Sequence, residues 1–151
     1  MKRVVTTLLV FAALAALVII TIKPKDGVRA VYANSGCSVA NLNGNYGFTV
    51  SGFSSIAPGG RPTQFPFAAV GLATFDGEGN LSGTFTYSFN GSSSTDNPYT
   101  GTYTVNPNCT GLLTSTDGGD NFAFVIVSGG ADVLATDVSA GTTTSLEFKK
   151  Q

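Results

Sequence analysis

No histidine and no tryptophan occur among the 151 residues, methionine appears once, and only 11% of positions are charged. Soluble domains carry about 25% charged residues, so uncharged polar groups must supply most of the surface here. The missing histidine removes the commonest general base and the commonest metal ligand. It also excludes a Ser-His-Asp or Cys-His relay within the chain. Cysteine is limited to Cys37 and Cys109, which form neither a zinc cluster nor a C-x-x-C redox motif. The formal charge of −1 provides no basic surface for a nucleic acid.

What is present begins with an address. Lys2 and Arg3 precede an apolar run from Val4 to Ile22, the pattern of a basic n-region and an h-region. Val31-Tyr32-Ala33 suits signal peptidase and places cleavage after Ala33. The competing reading is an uncleaved anchor, since a run of about 19 residues can just span a bilayer. Residues 1–33 are therefore read as a signal peptide or anchor, and residues 34–151 as a single domain that is secreted or periplasmic. From residue 34 onward three basic residues face eight acidic ones, a formal charge of −5. That charge repels nucleic acid and anionic headgroups. Membrane contact is expected only through the N-terminal segment, if it stays uncleaved. Cys37 and Cys109 both lie in the exported part, where an even count favours one disulfide. Closing a loop of that length stabilises a fold by about 4 kcal/mol in the chain-entropy treatment.

The exported part alternates with period two between Gly, Asn, Pro and Asp punctuation. The alternation predicts eight strands, over 45–53, 64–75, 81–89, 99–105, 111–115, 121–127, 132–136 and 143–149. Asp76-Gly77-Glu78-Gly79-Asn80, Asn106-Pro107-Asn108 and Ser128-Gly129-Gly130 read as short turns between antiparallel neighbours. Ser54–Thr63 and Asn90–Pro98 read as long mobile loops. Eight short strands leave exposed edges unless the sheet closes. The expected fold is all-β, an eight-stranded antiparallel up-and-down barrel, with a two-sheet β-sandwich as the alternative.

A resemblance enters through the motifs. Cys37-Ser38, Leu42-Asn43-Gly44-Asn45-Tyr46-Gly47-Phe48, Phe75-Asp76-Gly77-Glu78-Gly79-Asn80, Gly101-Thr102-Tyr103-Thr104-Val105-Asn106-Pro107 and Cys109-Thr110-Gly111 span nearly the whole exported part. Together they resemble an uncharacterised family of secreted bacterial proteins whose members are similar to allene oxide cyclase-like β-barrels. The resemblance implies the barrel and a bacterial source. It transfers no catalytic residue, because its motifs are turns and packing positions.

Ten aromatic residues fall on the apolar side of their strands. Tyr46, Phe48, Phe67, Phe85, Tyr87, Tyr103 and Phe124 are the candidate lining of a pocket for a small apolar molecule, and packed core is the competing reading. Gly71, Gly83 and Gly101 share that face and leave room among the rings. Strands two and six are apolar on both faces, so their outer sides are candidate homo-oligomer surfaces or are covered by the segment 34–42. Asp76, Glu78 and Asn80 have calcium-loop spacing but lack the distant bidentate Glu, which leaves a hairpin turn as the better reading. Asp132 and Asp137 bracket the seventh strand on opposite faces, so one of them can face a barrel mouth. Asp76, Glu78, Asp96, Asp117 and Asp120 sit in loops, which leaves that inward Asp as the only plausible carboxylate for acid or base chemistry. No metal and no cofactor is expected.

The function expected from sequence is that of an exported, non-enzymatic barrel binding a small apolar ligand or a surface partner. The alternatives are an isomerase or cyclase of the allene oxide cyclase-like type, or a structural envelope or matrix protein. An inward Asp beside an open cavity favours the enzyme. A filled interior with an apolar outer patch favours the structural role.

Overall fold

A computed structural model describes residues 36–56 and 63–151. Residues 1–33, read as a signal peptide or anchor, lie outside the described residues. The strands are β1 (Asn43–Ile56), β2 (Thr63–Asp76), β3 (Asn80–Phe89), β4 (Ser92–Val105), β5 (Thr110–Ser115), β6 (Asn121–Val127), β7 (Asp132–Asp137) and β8 (Thr143–Lys150). Each pairs antiparallel with the next, and β1 also pairs with β8, so the barrel closes in sequence order. The sandwich alternative is excluded. Closure removes every unpaired edge that eight hairpin-linked strands would otherwise present.

The register lines up one inward set around the wall. Phe48 stands opposite Gly71 on β2 and opposite Phe148 on β8. Gly71 faces Phe85, Leu81 faces Gly101, and Gly111 faces Phe124. The inward glycines therefore lie under rings and a leucine of neighbouring strands. A Cβ on Gly71 would stand 2.8 Å from the Phe48 ring, one on Gly83 2.8 Å from the Tyr99 ring, and one on Gly101 3.0 Å from Leu81. Bulky side chains on adjacent strands take up the room these glycines leave.

Strand lengths differ around the barrel. β1, β2 and β4 have 14 residues each, whereas β5, β6 and β7 have 6, 7 and 6. One side of the wall therefore rises well above the other. The length of β4 corrects the expected loop over Asn90–Pro98. Asn90 and Gly91 both hold positive φ, 49° and 85°, the signature of a two-residue hairpin turn, and β4 starts directly after them. A register shift opposite Phe85–Tyr87 makes this stretch look irregular in sequence. Asn97 pins it, with Nδ2 donating to the Phe85 carbonyl at 3.2 Å and Oδ1 accepting from Ser94 Oγ at 3.0 Å.

One end of the barrel is plugged. A single 3-10 turn, Val39–Asn41, leads into Leu42, which has no exposed surface. The Tyr103 hydroxyl donates to the carbonyls of Val39 and Leu42 at 3.1 and 2.9 Å. The Tyr46 hydroxyl donates to the Gly130 carbonyl at 2.6 Å. Cys37 and Cys109 form the expected disulfide, with their Cα atoms 4.8 Å apart, and Cys37 N–H donates to the Pro107 carbonyl. This segment packs against the core at the barrel end, so it is not the cover expected over the outer faces of strands two and six. Phe75 sits behind the plug among Tyr46, Tyr103 and Phe148, with ring centroids 5.0, 5.2 and 5.3 Å away. Burying side chains of this size contributes about 1.5–3 kcal/mol each.

Candidate functional site

At the opposite end the described residues leave an opening between the β3–β4 turn, the β5–β6 loop at Thr116–Asp120 and the β7–β8 loop at Val138–Thr142. Inside it lies a cavity of about 410 Å³. That volume falls in the lower part of the range of about 300–1,000 Å³ typical of small-molecule sites. The cavity exists because the inward rings of the long strands have no equally tall partners on β5–β7. Phe48 and Phe148 form its floor, Phe67, Phe85 and Tyr99 its tall wall, and Phe122 its short wall. Phe48 meets Tyr99 edge-on at 5.8 Å, and Tyr99 meets Phe85 edge-on at 5.8 Å, so the wall is a connected set of rings. Burial pushes the Tyr99 phenol far above its ordinary value, so it stays a neutral hydroxyl.

Polar groups gather near the rim. Asn97, Ser115, Asp117, Asp120 and Thr144 all line the cavity. Asp117 accepts from the Ser115 hydroxyl and from Thr100 N–H at 3.1 Å. These bonds hold its carboxyl below the ordinary carboxylate value. They also tie the β5–β6 loop to β4 and so place Asp120. Asp120 keeps an exposed residue surface, yet enough protein surrounds its carboxyl for desolvation to raise its pKa, with the neighbouring Asp137 charge and hydrogen bonding between the two carboxyls adding to the rise. Asp137 stands one layer back. It accepts from Ser139 N–H at 2.6 Å and from the hydroxyl of buried Thr144 at 3.4 Å.

The seven candidate pocket residues separate into three that line the cavity, three in the core and one, Tyr87, in neither place. Phe48, Phe67 and Phe85 line the cavity. Tyr46, Tyr103 and Phe124 are buried in the plugged half, away from it. Tyr87 continues the aromatic wall toward the β3–β4 turn, stacked on Phe67 at 6.0 Å, without lining the cavity. Of the two acids bracketing β7, Asp137 shares the inward register of Ala135 and Val133, and Asp132 alternates to the outside opposite Val127. Asp117 and Asp120 lie in a loop, as expected, and the β5–β6 loop folds both onto the rim. Strand alternation places Tyr99, Leu146 and Phe148 inward; Asp120 has no comparable signal, because loop residues carry no period. Asp76 serves the hairpin, accepting from Glu78 N–H, Asn80 N–H and Asn80 Nδ2 at 2.7, 2.9 and 2.6 Å.

On the outside, Val70 and Leu72 of β2 are 57% and 52% exposed, whereas Ala123, Val125 and Val127 of β6 are half-buried. The two apolar outer faces are thus unequal.

Fold and site together define a class: a closed eight-stranded antiparallel up-and-down barrel, packed at one end and hollow at the other. In comparison with known proteins, no family model, no curated protein and no solved structure matches the chain.

Proposed function

We propose that this protein is an exported binding barrel that holds a small, largely apolar molecule in the cavity at its open end. The observation that carries the reading is the cavity of about 410 Å³, floored and walled by six aromatic rings and open to solvent at one rim. Enclosed apolar surface of this size with a few convergent polar groups is the usual form of a ligand site. The Cys37–Cys109 disulfide fits an oxidising, extracellular or periplasmic location. Export through the N-terminal basic and apolar segment agrees with it.

The test is titration of the folded protein with an uncharged environment-sensitive dye. Saturable binding is expected, reduced in Ala69→Phe, where the new ring occupies the cavity that Ala69 lines. A folded protein that leaves the dye unbound contradicts the reading.

A second reading, an isomerase or cyclase, has one observation in its favour: Asp120 with Asp137 behind it at the cavity rim, one carboxyl raised above its ordinary value. A raised carboxyl can act as a general acid toward a bound ligand. Turnover of a dye-displacing ligand, lost in Asp120→Asn, would promote this reading over simple binding.

A further inference from the structure

We propose that the ligand of this cavity is a hydrophobic organic cation, its apolar body among the rings and its cationic head at the rim beside Asp120. The inference rests on the binding reading above and specifies the ligand's charge. Two independent features of the cavity converge on it. The first is the lining: six aromatic rings border the cavity, and an aromatic ring carries a negative lobe on each of its faces. A cation within about 6 Å of such faces is attracted, more strongly where water is excluded. The second is the rim. Asp117 and Asp120 line it, Asp137 stands behind Asp120, and among the described lining residues there is no Lys or Arg.

The other polar groups fit the same head. Asn97 and Ser115 line the cavity; Asn97 Oδ1 already accepts from Ser94 Oγ and Ser115 Oγ from Gly119 N–H, which leaves each oxygen one further lone pair for a donor, and the Thr144 hydroxyl is engaged with Asp137. An ammonium brings several donors and no acceptor, which matches an acceptor-rich rim. A carboxylate or phosphate head would meet like charge at Asp117 and Asp120 without a compensating cation among the described lining. Arg61, in the connection between β1 and β2, is the only basic residue between Cys37 and Lys149.

The experiment compares three ligands with one body: phenylbutylamine, phenylbutanol and phenylbutyrate, each displacing the uncharged dye. Wild-type protein is expected to bind the amine about tenfold more tightly than the alcohol, and the carboxylate most weakly. Asp120→Asn is expected to weaken the amine far more than the alcohol and so bring the two affinities close. Asp137→Asn gives a second, smaller loss, and a cooperative melt shows that each variant is folded. Glu147→Gln, an outward acid paired with Lys149 at 3.3 Å, controls for net charge and should preserve the preference. Arg61→Gln should preserve it too, or strengthen it. Equal binding of amine and alcohol, or a preference that survives Asp120→Asn, overturns the cation inference and leaves the binding barrel standing. Failure of all three ligands and of the dye overturns both.

Discussion

Phe75 and Phe85 both point into the barrel, yet their surroundings differ. Phe75 is 2% exposed and touches the rings of Tyr46, Tyr103 and Phe148. Phe85 is half-buried, touches Tyr87 and Tyr99, and presents its remaining surface to a cavity. The difference does not come from residue type. It comes from what closes each end. At the plugged end Leu42, the disulfide and two tyrosine hydroxyl anchors bring chain across the opening. At the open end strands of 14 residues face strands of 6 or 7, and the taller rings lack partners. An apolar alternation thus decides which way a ring points, and the ends decide whether it is packed.

The largest effect that would sharpen this contrast is truncation of the two rings. Phe75→Ala should cost about 3–5 kcal/mol in chemical denaturation, the range for a fully packed aromatic. Phe85→Ala should cost less than half as much, since part of its surface already faces open space. Similar losses at the two positions would break the comparison.

Next is the staple. Opening the Cys37–Cys109 disulfide, whose ends lie 72 positions apart, should lower stability by about 4 kcal/mol through the freed unfolded chain. The plugged end should loosen first, seen as faster amide exchange at Tyr103 and Leu42 while the Phe85 region keeps its rate. Loss of protection that began at the open end would contradict the assignment of the plug.

The smallest expected effects are electrostatic, and they have opposite signs at the two ends. At the plugged end, hydrogen bonds from Asn80 and Glu78 hold the Asp76 carboxyl at about 2. A folded pKa below the unfolded value contributes stability at neutral pH, which is lost as pH falls from the ordinary carboxylate range toward about 2. At the open end, the Asp120 pKa is raised. Its contribution is present in acid and is lost as pH rises through the folded value. Asp76→Asn should therefore flatten the acid limb of a stability–pH curve. Asp120→Asn should raise the melting temperature at neutral pH and leave it unchanged in acid. Parallel curves for the two variants would show that the carboxyls do not differ in this way.

The contrast also explains what was legible before the structure. Period-two alternation placed all eight strands, because each buries one face and a slip of one residue would expose it. The disulfide followed from cysteine count and compartment. The alternation starts strand four only at Tyr99, since Ser92–Asn97 lacks apolar residues, although Asn90-Gly91 carries a hairpin signal. Phe48, Phe67 and Phe85 share inward alternation with Tyr46, Tyr103 and Phe124, so period alone could not divide lining from core. Asp120 was invisible for a different reason. Its position depends on Asp117, which accepts from Ser115 two residues back and from Thr100 N–H of β4, and no local pattern encodes the second contact.

Ala69 and Ala73 offer the most direct test of a barrel packed at one end and hollow at the other. Both belong to the inward face of β2; Ala69 lines the cavity, and Ala73 is 1% exposed in the core opposite Tyr46. The decisive measurement is the denaturation midpoint of Ala69→Phe beside that of Ala73→Phe. The account predicts that Ala73→Phe loses about 1–3 kcal/mol or more through overpacking, while Ala69→Phe keeps or gains stability by filling open space. Equal losses at both positions would show that the open end is as filled as the plugged one, and the binding cavity would be contradicted.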